Sequence, residues 1–487
     1  MRLSDDLRDG DARNRIRRDT ASTLFVDAGA GSGKTRSLVS RVQELVVEDG
    51  VPIDQIAAVT FTERAAAELR DRLRDRFEQA ARHTTRHKAA ARAEAALEGL
   101  DMAAIGTLHS FAQRILSEHP VEAGLPPLVS VLDEVGSSVA FDTRWSRLRA
   151  ELLADEEMAL TLELAFAVGV SLDHVRSLIT RLDSDWDLVR SHVLADPPPG
   201  PIDPPDVEPL LVEARRLVSE GDHCTDESDL FLTRLAGLDQ WADELEAAGD
   251  DPRARTTALR SAGDLKWSNG RQGNWGNRLP SLKEECKAWA AEATSIVTAT
   301  TTTTLRRIVR WCGERVLEAA QERRAEAQLE FHDLLVLARD VLRANAAVRA
   351  SLQSRYTRLL LDEFQDTDPI QIEIAVRIAG GAEATAECWE DVVVPPGSIF
   401  VVGDPKQSIY RFRRADIGVY LRAKEVLGGH VSLTTTFRTG APIMHWVNEV
   451  FDQLIVEHAG TQPAYVGLDG LRPEPTAGPP GSVLGAS

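Results

Sequence analysis

The chain has 487 residues, a mass of 53.3 kDa and a formal net charge of −20. That length suits about three domains, and the charge excludes a uniformly basic nucleic-acid coat but not a local basic groove. Hydrophobic residues at 43% and charged residues at 27% exclude wholesale disorder and fibrous classes.

Cysteines at 224, 286, 312 and 388 form no CxxC pair. This argues against a disulfide framework or a zinc ribbon and points to a reducing, cytoplasmic setting. The N-terminus starts charged, and no stretch approaches the ~18 apolar residues of a membrane span, so no membrane association is expected.

Thr23–Val26 predicts a strand running into a Gly/Ala/Ser turn and then a helix from Lys34 to Val47. Ile56–Phe61 predicts a second strand before a helix starting near Glu63, and Ala103–Leu108 a third before a helix over Ser110–Glu118. From 119 to 328 the composition turns to Ala, Leu, Glu and Arg at helical spacing, broken by Asp196-Pro197-Pro198-Pro199-Gly200-Pro201. The run Thr300–Thr304 is out of place there, because β-branched residues are weak helix formers. Strand signals return at Arg358–Leu361, Ser398–Val402 and Val431–Leu433. The expected fold class is α/β, a P-loop parallel sheet flanked by helices and split by a large, mostly helical insertion. The expected segments are 1–118 and 329–459 for the sheet domain, 119–328 for the insertion, and 460–487, rich in Gly and Pro, as a linker.

Ala28-Gly29-Ala30-Gly31-Ser32-Gly33-Lys34-Thr35 follows a strand and opens a helix. Small residues let the backbone wrap a polyphosphate, so that successive N–H groups and the helix N-terminus point at it. Lys34 is expected to reach the β/γ-phosphates and the Thr35 hydroxyl to ligate Mg²⁺. Ala28 stands where the strict pattern has glycine. The strand Leu359-Leu360-Leu361 ends in Asp362-Glu363, adjacent acids at a strand tip. There Asp362 can hold hydrated Mg²⁺ and Glu363 can accept a proton from an attacking water. The absence of an Asn/Thr-Lys-x-Asp motif favours adenine over guanine.

With Thr60–Ala66, Thr107–Phe111, Asp362–Thr367, Val402–Arg413 and Thr436–Thr439, these residues resemble, in order, the N-terminal motifs of UvrD/Rep-type superfamily 1 DNA helicases. Phe364, Phe412 and Leu329–Leu335 are most similar to the RecB/AddA helicase–nuclease branch. The resemblance implies the first of two RecA-like domains of an ATP-dependent 3′→5′ DNA motor in repair or recombination, using ATP and Mg²⁺. The partner it implies is a second helicase–nuclease subunit. It assigns Gln407 to sensing the γ-phosphate, Arg438 to clamping it, Phe437 to stacking on adenine and Arg36 to the nucleotide. It also places single-stranded DNA on Phe61, Tyr410 and Phe412, with Arg64, His109 and Arg413 beside them. Residues 401–424 hold six cations against two acids, which suits a basic groove.

Two features depart from the family pattern. The glutamine that reads adenine ahead of the P-loop is missing, since the first glutamine is Gln43 and Asp9-Gly10-Asp11-Ala12-Arg13 occupies its place. Adenine selectivity is then either lost or met by backbone contacts. After Arg438 no second-domain or nuclease motif follows, so this chain alone is expected to be weak or inactive in unwinding. A non-catalytic ATP- and DNA-binding module acting through a partner is the alternative.

Overall fold

The computed structural model describes residues 7–411, 414–458 and 460–472. The chain divides into two compact units, one built from Met1–Ser130 and Leu329–Ser487, the other Val131–Gln328. The helical unit thus begins at Val131 rather than at 119. Helix Pro120–Ala123 packs on helix Phe331–Ala344 of the first unit, and Ala123 and Leu125 are buried there.

The first unit is organised by six strands: β1 (Leu24–Ala28), β2 (Ile56–Thr60), β3 (Ala104–Thr107), β4 (Arg358–Leu361), β5 (Ile399–Gly403) and β6 (His430–Leu433). They form one sheet in the order β3-β2-β4-β5-β1-β6, and every pair is parallel. Parallel strands are covered on both faces, which explains their unbroken apolar runs. Side-chain alternation then splits each strand between two cores. Leu24 and Val26, Ile56 and Ala58, Leu360, and Phe400 and Val402 face one core with helices α2 (Lys34–Gln43) and α3 (Glu63–His83). Phe25 faces the other way, where Phe364 and Tyr420 meet it edge-on at 5.7 and 5.0 Å.

Leu360, 1% exposed in a central strand, is a direct test of this packing. Leu360→Ala is expected to cost about 2–5 kcal/mol, read as a lower urea midpoint. A loss under ~1 kcal/mol would mean that the site collapses without a cavity.

The expected helix Lys34–Val47 is α-helical to Gln43 and continues as a π-helix over Glu44–Glu48. Residues 460–472 differ more from expectation. They do not form a free linker: Asp469–Gly470 pairs in parallel with Thr435–Thr436, and the Asn448 side chain holds Tyr465 Oη and the Leu468 backbone. Residues 473–487 of that segment lie outside the described residues.

The second unit is helical, with two buried clusters along the 48-residue helix Leu279–Glu326. The threonine run lies inside that helix. Thr294, Thr298 and Thr302 each donate to the carbonyl four residues earlier at 2.8 Å, and such back-bonding satisfies hydroxyls within a helix. Packing therefore outweighs the weak intrinsic propensity. No helix among the described residues is long and apolar enough to cross a membrane.

Candidate functional site

All six strands point their C-terminal ends to one edge, so the loops after β1, β2, β4 and β5 converge there, where open α/β sheets bind ligands. The loop after β1 is set by its glycines. Gly31 and Gly33 adopt left-handed φ values of 73° and 89°. A Cβ on Gly31 would lie 2.6 Å from Thr436 Oγ1 and 2.7 Å from Arg438 Cβ, and one on Gly29 would lie 2.5 Å from Leu468. The loop is thus walled by residues 436–438 and 468. Ala28 departs from the strict pattern because it is still part of β1, its methyl buried in the core.

Inside the loop Ser32 is fully buried, and its hydroxyl has no hydrogen-bond partner among the described residues. A buried orphan hydroxyl in a cradle of backbone N–H groups is what an absent anion leaves behind. Ala30 and Arg36 are exposed, and Thr35 is half-buried at the start of α2.

Lys34 leaves the first turn of α2 and donates to Glu363 Oε2 at 2.5 Å and to Gln407 Oε1 at 3.3 Å. The loop lysine and the acidic tip therefore meet across 329 positions of sequence. Glu363 adopts φ 50°, a left-handed value for a residue with a side chain, and this kink lets two adjacent acids serve one site. Asp362 accepts only the Glu363 N–H among the described residues. Burial, and then the neighbouring Glu363 carboxylate, push its carboxyl up to about 6. A carboxylate destabilised in this way is an oxygen donor that suits a small divalent cation, and the Thr35 hydroxyl, next to Lys34 at the start of α2, is a second oxygen of that kind. No cluster of three or more metal-holding side chains occurs among the described residues, so phosphate and water would complete such coordination.

Gln365, quoted in its motif but given no role at the sequence level, ties the site together. Its Nε2 donates to Glu363 Oε2 at 2.9 Å and Asp366 Oδ2 at 3.1 Å. Its Oε1 accepts the Asp404 N–H at 2.8 Å, and its carbonyl accepts the Ser408 hydroxyl. Gln407 Nε2 in turn donates to Asp404 Oδ2 at 2.8 Å. A glutamine set in an acidic run, Asp362-Glu363-Phe364-Gln365-Asp366, is the sequence signal that could have marked it.

Phe437 donates its N–H to Gly31 O at 3.0 Å, with the Arg13 guanidinium carbon 5.0 Å from its ring centroid. Arg438 lies beside Gly31 and is exposed, and its guanidinium makes no hydrogen bond among the described residues.

The expected DNA residues are only partly gathered. Phe61 and Tyr410 sit ring to ring at 4.9 Å, and Arg64 is exposed at the start of α3. His109 packs against Phe331 at 5.7 Å, and burial, then His332, holds its imidazole below the usual range. Phe412 and Arg413 lie outside the described residues. The basic-groove expectation weakens. Arg414 pairs with Asp368, Arg422 with Glu425 and Lys424 with Asp27, so half of the six cations spend their charge on acids.

A family model described as the UvrD/REP helicase N-terminal domain matches residues 10–427. The chain is also similar to proteins named as an ATP-dependent helicase/nuclease subunit. It is 26% identical to that of Ligilactobacillus salivarius over 509 residues, covering 92% of this chain and 39% of the relative. With the Levilactobacillus brevis protein the identity is 27%, covering 91% and 38%. With that of Exiguobacterium sibiricum it is 27%, covering 92% and 40%. The chain thus spans about two fifths of the length of these relatives. With most of its length inside the family match and with the loop and acidic tip joined at one sheet edge, the chain belongs to the UvrD/REP helicase N-terminal domain family.

Proposed function

We propose that this chain is the first RecA-like motor domain of an ATP-dependent DNA helicase that moves 3′→5′ on single-stranded DNA in repair or recombination. The observation that carries the reading is the meeting of Lys34, Glu363 and Gln407 at one sheet edge. The helicase/nuclease names of its relatives support DNA as substrate and, as partner, a second subunit.

In this mechanism the N–H groups of residues 29–34 and the α2 N-terminus cradle the β- and γ-phosphates of ATP. Lys34 exchanges its carboxylate partner for phosphate oxygens and takes up part of their charge. That releases Glu363, which accepts a proton from the water whose oxygen attacks the γ-phosphorus as the bond to the ADP oxygen breaks. Gln365 holds Glu363 in orientation. Arg438 and Gln407 face the transferred group, Arg438 as a charge clamp. Thr35 and Asp362 would hold Mg²⁺, which when bound neutralises phosphate charge. Phe437 and Arg36 serve the rest of the nucleotide, and Ala28 to Gly33 shape the loop. Phe61, Tyr410 and Phe412 stack on bases, with Arg64, His109 and Arg413 beside the DNA strand.

The test is ATP turnover with and without single-stranded DNA, in the protein that carries this domain. Stimulation by DNA is expected, and turnover indifferent to DNA would contradict the reading. Tyr410→Ala should weaken binding to a labelled oligothymidylate by about 1–3 kcal/mol, seen in fluorescence anisotropy. An unchanged affinity would remove Tyr410 from the DNA path.

A further inference from the structure

Beside Phe437 and the P-loop carbonyl of Ser32 stands a residue to which the sequence motifs assign no role. Arg13 projects from α1 (Gly10–Arg18). Its Nε and Nη2 fork onto Asp9 Oδ1 and Oδ2, both at 2.8 Å. Nη1 donates to the P-loop carbonyl of Ser32 at 2.9 Å, and Nη2 also donates to Thr435 O at 3.2 Å. The guanidinium lies over the ring of Phe437, a residue that remains 39% exposed. Nη1 and Arg36 Cβ would each lie 3.8 Å from a Cβ on Gly33, with the Phe437 ring at 4.0 Å. Arg13 therefore sits at the mouth of the loop, with an aromatic platform attached.

A guanidinium has five N–H groups, and four are spent in these bonds, which leaves one on Nη1. The Asp9 carboxylate already accepts four hydrogen bonds: two from Arg13 and one each from the backbone N–H of Thr434 and Thr435. Three of these fall on Oδ2 and one on Oδ1, and the Asp9 side chain is only 3% exposed, so its remaining lone pair is shut away from an incoming base. The pair thus presents a base with one donor and no acceptor. A glutamine amide would present both, and both are needed to recognise the 6-amino group and a ring nitrogen of adenine together. A lone donor can bond the N7 acceptor, which adenine and guanine share.

We propose that Arg13, pinned by Asp9 and stacked on Phe437, is the base-end specificity residue, and that the site accepts purine nucleoside triphosphates without telling adenine from guanine. The proposal rests on the nucleotide-site reading above and deepens it. It replaces the expectation of adenine preference, because the glutamine that would enforce it is absent and the Arg13–Asp9 pair supplies no accessible acceptor.

The experiment is displacement of a fluorescent N-methylanthraniloyl ATP from the chain by unlabelled ATP, GTP, CTP and inorganic tripolyphosphate. ATP and GTP are expected to compete within about tenfold of each other, since a site lacking the complementary group cannot reject strongly. CTP and tripolyphosphate should compete more weakly. An ATP preference over GTP beyond about a hundredfold would reveal a matched acceptor and overturn the proposal.

In Arg13→Ala, ATP and GTP should both weaken by about tenfold while tripolyphosphate is unaffected. A parallel loss for tripolyphosphate would mean that Arg13 only braces the loop through Ser32, which also overturns it. Should R13A fail to fold, the native ATP/GTP ratio still decides. Equal binding of ATP and tripolyphosphate would sink the base role while leaving the phosphate site standing. No displacement by any of them would sink both.

Discussion

Lys34→Ala is expected to lower nucleotide hydrolysis by at least about a thousandfold, because the loop then loses the side-chain cation aimed at the transferred phosphate. The structure explains why the damage should stay local. The Lys34 side chain is 11% exposed and that of Glu363 34%, so their contact is only partly wetted, and Glu363 keeps the Gln365 amide as a partner when Lys34 is lost. α2 keeps its glycine entry and its buried face of Leu38, Val39 and Val42. Circular dichroism melting should therefore move by no more than a few degrees. Affinity for ATP should fall as well, since Lys34 bonds ground-state phosphate oxygens as well as those of the transition state. A variant with undiminished turnover would remove Lys34 from the chemistry. A variant that unfolds would show that the contact with Glu363 is a structural brace.

The sheet was legible in the sequence because its central strands are buried on both faces and read as short apolar runs, as in Leu359-Leu360-Leu361 or Phe400-Val401-Val402. The loop after β1 was legible because its glycines meet local backbone demands, such as the left-handed φ values at Gly31 and Gly33. What stayed hidden depends on partners far away in sequence. Asp9 and Arg13 have the ordinary spacing of a helix-surface ion pair, and their meaning comes from Ser32 and Thr435, brought to them by the sheet. Residues 465–470 look like part of a Gly- and Pro-containing tail until Thr435–Thr436 offers an edge to pair with. Charge counting along residues 401–424 overstated the uncommitted charge for a related reason. It could not see that Asp27, Asp368 and Glu425, all outside that window, would claim half of its cations.

The hydrogen-bond chain through Gln365 gives the acidic tip a mechanical neighbour. One side chain joins Glu363 to the backbone of Asp404, and the same residue's carbonyl holds Ser408. Tyr410, beside Phe61, follows two residues later. A change in what Glu363 contacts therefore has a short covalent and hydrogen-bonded route to the aromatic pair. Such a route has the form that coupling between two ligands requires, although differential affinity alone would establish it.

Glu363→Gln should separate binding from hydrolysis, with a pattern opposite to that of the lysine variant. The substitution keeps the shape of the side chain and its ability to accept from Lys34 and Gln365, so the network around Asp404 is preserved. It removes the basic oxygen that takes the proton of water, and loss of a general base costs about a hundred- to ten-thousandfold. It also removes a negative charge from beside Asp362, whose carboxyl the Glu363 charge helps to raise to about 6. With that repulsion gone, a triphosphate meets less opposing charge, and ATP affinity should hold or rise. Single-turnover hydrolysis and equilibrium binding, measured on the same preparation, give the two halves of the result. Slow turnover with intact or tighter binding assigns the proton transfer to Glu363. Turnover close to that of the native protein would move the base elsewhere, with Asp366 the next carboxylate along the loop and also pushed up to about 6, by burial and then by Glu363.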